Sequence, residues 1–93
     1  MDTIKFNRDA ILRIAEKHGA KNVRIFGSVA RGEADEKSDI DFLVDMEPDR
    51  SLYDHAALLL ELQVLMNIKV DVVSEKGIHP RIKNRVLDEA IPL

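Results

Sequence analysis

Two aspartates, Asp39 and Asp41, lie two residues apart in the run Ser38-Asp39-Ile40-Asp41-Phe42-Leu43-Val44. Its apolar residues predict a β-strand over residues 39–45, and in a strand residues i and i+2 share a face. Asp39 and Asp41 then project side by side, while Ile40, Phe42 and Val44 point the other way. Two like charges held that close repel, and burying them unpaired is costly. A divalent cation between them removes the repulsion. Upstream stands a turn of small residues, Gly27-Ser28, of the kind that lets a backbone approach a phosphate. The acid pair and the turn together predict an anionic, metal-bound ligand of the nucleotide type.

A third carboxylate needs a reason. Asp71 interrupts Ile68-Lys69-Val70-Asp71-Val72-Val73, a run otherwise typical of a buried strand with one exposed lysine. An aspartate there is expensive unless it has a partner. If this strand lies beside residues 39–44, Asp71 joins the other two acids. Three oxygen ligands form a hard site suited to magnesium. Two-metal sites of this kind clamp the attacking and leaving oxygens of a phosphoryl displacement. Plainer readings exist: Asp39 and Asp41 as acids on a strand edge, Asp71 as an exposed residue in company with Lys69, and Asp45 as a solvated strand end.

The elements that must position these groups follow from pattern. Asn7 can cap a helix to about Lys17, with Ile11, Leu12, Ile14 and Ala15 at helical spacing and Gly19 as its stop. Residues 23–26 form a short strand, residues 29–31 begin a short helix, and residues 33–37 form a polar loop. After the loop at residues 47–50, Ser51 and Asp54 make a capping-box start. The helix they open runs to about Met66 and ends at Asn67. Its extra leucines widen the apolar stripe, which predicts two buried neighbours. Leu58, Leu59 and Leu60 read as core, or in excess as an interface. Residues 68–74 form the third strand, and Pro80 starts a last helix to about Ala90, with Ile82, Val86 and Leu87 on one side. The order α-β-(α)-β-α-β-α predicts helices packed on a small sheet. His18, His55 and His79 lack metal-ligand spacing and read as surface or loop. Arg81, Lys83 and Arg85 read as a solvated face, as do Lys21 and Arg24.

Bulk properties narrow the function. Ninety-three residues predict one domain over 1–93, with a modest core, one active site and no elaborate acceptor pocket. A binding partner or a homo-oligomer fits such a chain. The net charge of -3, with one Tyr, three Phe and no Trp, argues against long nucleic acid as a ligand. No apolar run approaches the roughly 20 residues of a membrane span, and MDTIKFNRD lacks the apolar segment of a secretory signal. The absence of cysteine excludes disulfides, zinc-thiolate sites and a cysteine nucleophile, and fits a cytoplasmic protein.

Ten residues, 29 to 38, separate Gly27-Ser28 from Asp39-Ile40-Asp41. That pattern, in the fuller form GSVARGEADEKSDIDFLV, resembles the minimal nucleotidyltransferases of the DNA polymerase β-like superfamily. The later acid of VDVV and the segment SEKGIHPRIKNRVLDEAIPL extend the resemblance through nearly the whole chain. It implies an α/β (α+β) fold, a mixed sheet of about three strands flanked by helices. It implies that Asp39 and Asp41 bind Mg²⁺, two ions, which grip the triphosphate of ATP. Asp71 would complete the metal site and accept the proton of an attacking hydroxyl. Gly27 and Ser28 would hold the phosphates through backbone N–H and hydroxyl, with Arg31 as a further contact. The implied partner is a HEPN-domain toxin, an RNase, silenced by transfer of AMP to a tyrosine. Two other readings are an antitoxin acting by steric occlusion and a nucleotidyltransferase subunit acting on a small molecule. A decayed site would have lost an acid or the Gly-Ser, and here all are present.

Overall fold

The computed structural model describes residues 2–35 and 39–93; the end of the predicted polar loop and Ser38 lie outside them. The described elements are α1 (Asp2–Phe6), α2 (Arg8–Lys17), β1 (Ala20–Phe26), α3 (Gly27–Ala30), β2 (Ile40–Met46), α4 (Leu52–Met66), β3 (Val70–Ser74), a 3₁₀ turn (Glu75–Gly77), α5 (Pro80–Glu89) and β4 (Ile91–Pro92). The strands form one four-stranded sheet in the order β3-β2-β1-β4. β1 runs antiparallel to β2 and β4, and β2 runs parallel to β3. A parallel pair needs a long crossover, and α4 supplies it.

Strand alternation divides the molecule into two layers. Val23, Ile25, Ile40, Phe42, Val44, Val70 and Val72 bury one sheet face against Ile4, Ile11 and Ala15 and against Leu58, Leu62 and Met66 of α4. The opposite face carries a smaller cluster of Leu43, Ile78 and Val86, joined by Phe26, Val73, Leu87 and Ala90. The first face is closed by α2 and α4, the second by α5. This leaves Asp41, Asp45 and Asp71, out of phase with the main core, on the α5 side.

Several expectations are corrected. The sheet has four strands, because the closing Ile91 and Pro92 pair with Ile25 and Arg24. Asn7 is the joint between two helices rather than a side-chain cap, its amide Nδ2 donating back to the Thr3 carbonyl at 2.8 Å. β1 begins earlier than Val23, since Ala20 and Lys21 already pair with Met46 and Asp45 before a bulge at Asn22, whose φ is 51°. β2 and β3 start at Ile40 and Val70, so Asp39 and Lys69 stand just outside their strands. The capping box at Ser51 is present: Tyr53 N donates to Ser51 Oγ at 3.2 Å, and Ser51 N to Asp54 Oδ2 at 3.0 Å. Of the three leucines in α4, Leu58 is buried and Leu59 half-buried, but Leu60 is 59% exposed.

Arg24 is not a solvated residue. It is 7% exposed and holds Glu75 at 3.0 Å and Asp45 at 3.3 Å, while its Nε donates to the Asn22 carbonyl at 2.9 Å. Asp45 is thus a partner rather than a free strand end. His18 pairs with Glu61, which also takes Lys17 at 2.9 Å, so α2 and α4 are tied at one end. The His55 ring is hydrogen-bonded to the Val72 carbonyl at 2.7 Å, and His79 Nδ1 accepts from Arg81 N at 3.1 Å to cap α5. Among the described residues no helix is long and apolar enough to cross a membrane.

Candidate active site

The site is built across the sheet. Asp41 is the register partner of Phe26 on β1 and of Asp71 on β3. Phe26, Asp41 and Asp71 therefore form one row on the α5 face. The parallel register is what brings the sequence-distant Asp71 beside Asp41. Asp39 stands at the foot of β2, where Lys69 Nζ lies 3.7 Å from its Oδ2.

The row ends at a backbone device. β1 runs extended to Phe26, and Gly27 then takes φ 75° to open α3. A side chain is doubly disfavoured there. The left-handed backbone costs a non-glycine residue about 1–2 kcal/mol, and a Cβ would stand 2.4 Å from Asp41 Oδ2. Gly27 thus lets the main chain lie directly against the central carboxylate. The predicted turn is the first step of this short helix, and the Ser28 carbonyl closes it by accepting from Glu33 N at 2.9 Å.

Electrostatics mark Asp41 as the strained member. Burial raises its pKa first, the charges of Asp71 and Asp39 raise it further, and Arg31 pulls the other way. Like charge and desolvation both disfavour the ionised form, and a bound cation relieves both. The donor set is all hard oxygen, which suits Mg²⁺. As placed, no three carboxylates or imidazoles among the described residues converge tightly enough to hold a metal ion. Asp41 and Asp71 are adjacent, and Asp39 engages Lys69.

Arg31 follows α3. Its Nε meets Glu33 at 3.1 Å and its Nη1 meets Glu89 of α5 at 3.1 Å. The hydrogen bond to Glu33 leads in holding the guanidinium above its ordinary pKa, with Glu89 adding to it. Beside the acids lies a cavity of about 290 Å³ reached by Asp41, Asp71, His79 and Ile82. A second, of about 180 Å³, is reached by Gly27, Arg31, Arg85 and Glu89. Both share the apolar floor of Phe26, Ile82 and Val86. The two cavities thus adjoin across this floor, with Asp41 and Asp71 at one end and the ion pairs of Arg31 and Arg85 with Glu89 at the other. Arg85 and Glu89 were not legible as site residues. The basic run on α5 reads as solvent-facing, and only the i, i+4 spacing of Arg85 and Glu89 hinted at a pair.

The matches to known proteins agree with this geometry. Residues 8–93 match the model of the nucleotidyltransferase domain family. A candidate protein adenylyltransferase of Methanocaldococcus jannaschii is 46% identical over 81 residues, covering 87% of each chain. The protein adenylyltransferase MntA of Thermococcus cleftensis is 37% identical over 78 residues, covering 84% of this chain and 79% of its own. A solved structure of a candidate minimal nucleotidyltransferase superposes with a TM-score of 0.90 at 53% identity, covering 99% of this chain and 94% of that one. A toxin–antitoxin crystal structure with AMP-PNP shares the fold, with a TM-score of 0.79 at 19% identity, over 92% of this chain and 71% of that one. The chain belongs to the nucleotidyltransferase domain family and has its minimal fold.

Proposed function

We propose that this chain is an antitoxin enzyme that transfers AMP from ATP to a tyrosine of a cognate HEPN-domain RNase toxin and so silences it. The observation that carries the reading is the alignment of Asp41 with Asp71 across the parallel register, against the bare backbone of Gly27. Its relatives' name, protein adenylyltransferase, supports the chemistry. The toxin partner rests on the sequence resemblance and on the occurrence of this fold in toxin–antitoxin complexes. Cytoplasm, where ATP and an RNase meet, is the compartment such a reaction needs.

Asp41 and Asp71, joined by Asp39 once it leaves Lys69, would hold Mg²⁺, which supplies charge neutralisation at the α-phosphate and on the departing pyrophosphate. Gly27 and Ser28 hold the phosphates, and Arg31 faces them from the end of α3. The tyrosine oxygen attacks the α-phosphorus in line. One P–O bond forms as the bond to the β-phosphate breaks, and pyrophosphate leaves. Asp71, the more exposed of the aligned pair, takes the hydroxyl proton. The protein's contribution is positioning and electrostatics, with no covalent enzyme intermediate. The shallow groove leaves presentation of the nucleophile to the partner.

The test is intact-mass spectrometry of the cognate toxin after incubation with this protein, Mg²⁺ and each NTP, with an Asp39→Ala/Asp41→Ala control. Mass added in AMP steps only with ATP, and absent in the control, is the expected result. A toxin bound and inactive yet unmodified would replace this reading with steric occlusion.

A further inference from the structure

Glu89 is placed where a free carboxylate is poorly tolerated. It is the last residue of α5, and the C-terminal end of a helix repels negative charge. It is held there by two arginines. Its Oε2 takes Arg31 Nη1 at 3.1 Å, and its Oε1 faces Arg85 Nε at 3.7 Å. Arg31 is shared in turn with Glu33. Two guanidiniums thus face two carboxylates, and the formal charge of the cluster is zero. The side chains differ in freedom: Glu89 is 22% exposed, Glu33 66% and Arg85 76%.

Arg31, Arg85 and Glu89 open into the cavity beside Gly27, and its floor of Phe26, Ile82 and Val86 continues into the cavity of Asp41 and Asp71. A carboxylate offers a guanidinium the same two-oxygen face as a phosphate. We propose that Glu89 is a built-in stand-in for phosphate, and that the outer phosphates of a nucleoside triphosphate displace it to take Arg31 and Arg85. This rests on the reading that the groove holds ATP. Arg85 is then a second phosphate-binding arginine, and Glu89 sets affinity by competition. Once displaced, the Glu89 carboxylate turns to solvent, where screening weakens its repulsion with the C-terminal end of α5.

The test is isothermal titration of the full chain with AMP-PNP plus Mg²⁺, and separately with adenosine, at low and high salt. Glu89→Gln leaves the cluster with one net positive charge. It is expected to tighten AMP-PNP binding about two- to fivefold at low salt, the scale of a surface ion pair. Arg85→Gln is expected to weaken AMP-PNP by a similar factor and to flatten its salt dependence, and Arg85→Lys to restore part of the loss. None should change adenosine affinity. Weaker AMP-PNP binding by Glu89→Gln would make Glu89 a positioning residue for Arg31 and overturn the proposal. So would unchanged binding by Arg85→Gln. The three variants alter the exposed Arg85 or the mostly buried Glu89, and their melting curves report folding independently. A wild-type chain that fails to bind AMP-PNP would instead refute the nucleotide reading itself, and this inference with it.

Discussion

Asp41 shows how a single residue can be both the best-placed and the least comfortable in the chain. In the folded protein its carboxyl keeps its proton to higher pH than in the unfolded chain. Its contribution to stability is therefore present below the ordinary carboxylate range and is lost as pH rises through its folded value. At neutral pH its ionised form, part-buried beside Asp71 and Asp39, costs stability. Asp41→Asn is accordingly expected to raise the melting temperature by about 2–5 °C at pH 7 while abolishing transfer. Mg²⁺ should raise the melting temperature of the wild type and leave that of Asp41→Asn unmoved, which differential scanning fluorimetry can read directly. A variant that melts lower than wild type in the absence of metal would contradict the electrostatic account. The Asp-x-Asp spacing was legible in the sequence, but strand alternation governs only Asp41, because β2 starts at Ile40 and Asp39 precedes it. The need for glycine at 27 was legible only as a turn; the clash with Asp41 Oδ2 that explains it arises from the packing of α3 on β2.

At the scale of elements, the longer ones could be read from period and caps, and two of the shorter ones, α1 and β4, could not. α4 announced itself through Ser51 and Asp54, and both halves of the box form. The hydrogen bond from the Ser51 backbone chiefly holds Asp54 below the usual carboxylate range. That contribution is present above the range and is lost as pH falls through Asp54's folded value. Ser51→Ala should cost about 1 kcal/mol at pH 7 in urea unfolding. Asp54→Ala should also destabilise at pH 7, with the gap to wild type closing in acid; a gap constant with pH would rule out the carboxylate's role. α1 has five residues and β4 two, too few for a period to register. The existence of β4 depends on long-range pairing with β1 and on Leu93, whose N donates to the Val23 carbonyl at 3.0 Å. Within the leucine run, position relative to the sheet decides burial: Leu58 faces β3 and α2, and Leu60 faces outward.

In the whole molecule, two polar groupings sit at opposite ends of the α5 face, with Leu43 and Val73 between them. One is the acid row with its groove. The other is Arg24, which joins β1, the end of β2 through Asp45, and the 3₁₀ turn through Glu75. That turn leads into Ile78 and α5, so Arg24 anchors the wall of the groove from beneath. Arg24→Ala leaves two part-solvated carboxylates without their cation and opens a void. It is expected to cost about 2 kcal/mol, or roughly 8–16 °C in melting temperature, as measured by circular dichroism. A shift under 2 °C would mean that solvent replaces the arginine freely. The burial of Arg24 was hidden in the sequence because it depends on partners 21 and 51 residues away. The sheet order was recoverable only in part: the α4 crossover argues for a parallel pair, but nothing local reveals a fourth strand.

The pairing of Asp41 with Asp71 also sets a rule for length. Only Asn67, Ile68 and Lys69 link α4 to β3, so they act as a spacer that fixes a reading frame. Insert or remove one residue there and the alternation of β3 inverts. Val70 or Val72 would then stand beside Asp41, and Asp71 would be driven into the apolar layer under α4. A change in length by one would thus remove an oxygen from the acid row and bury an unpaired charge at a single stroke. This stretch has less freedom in its length than in its composition.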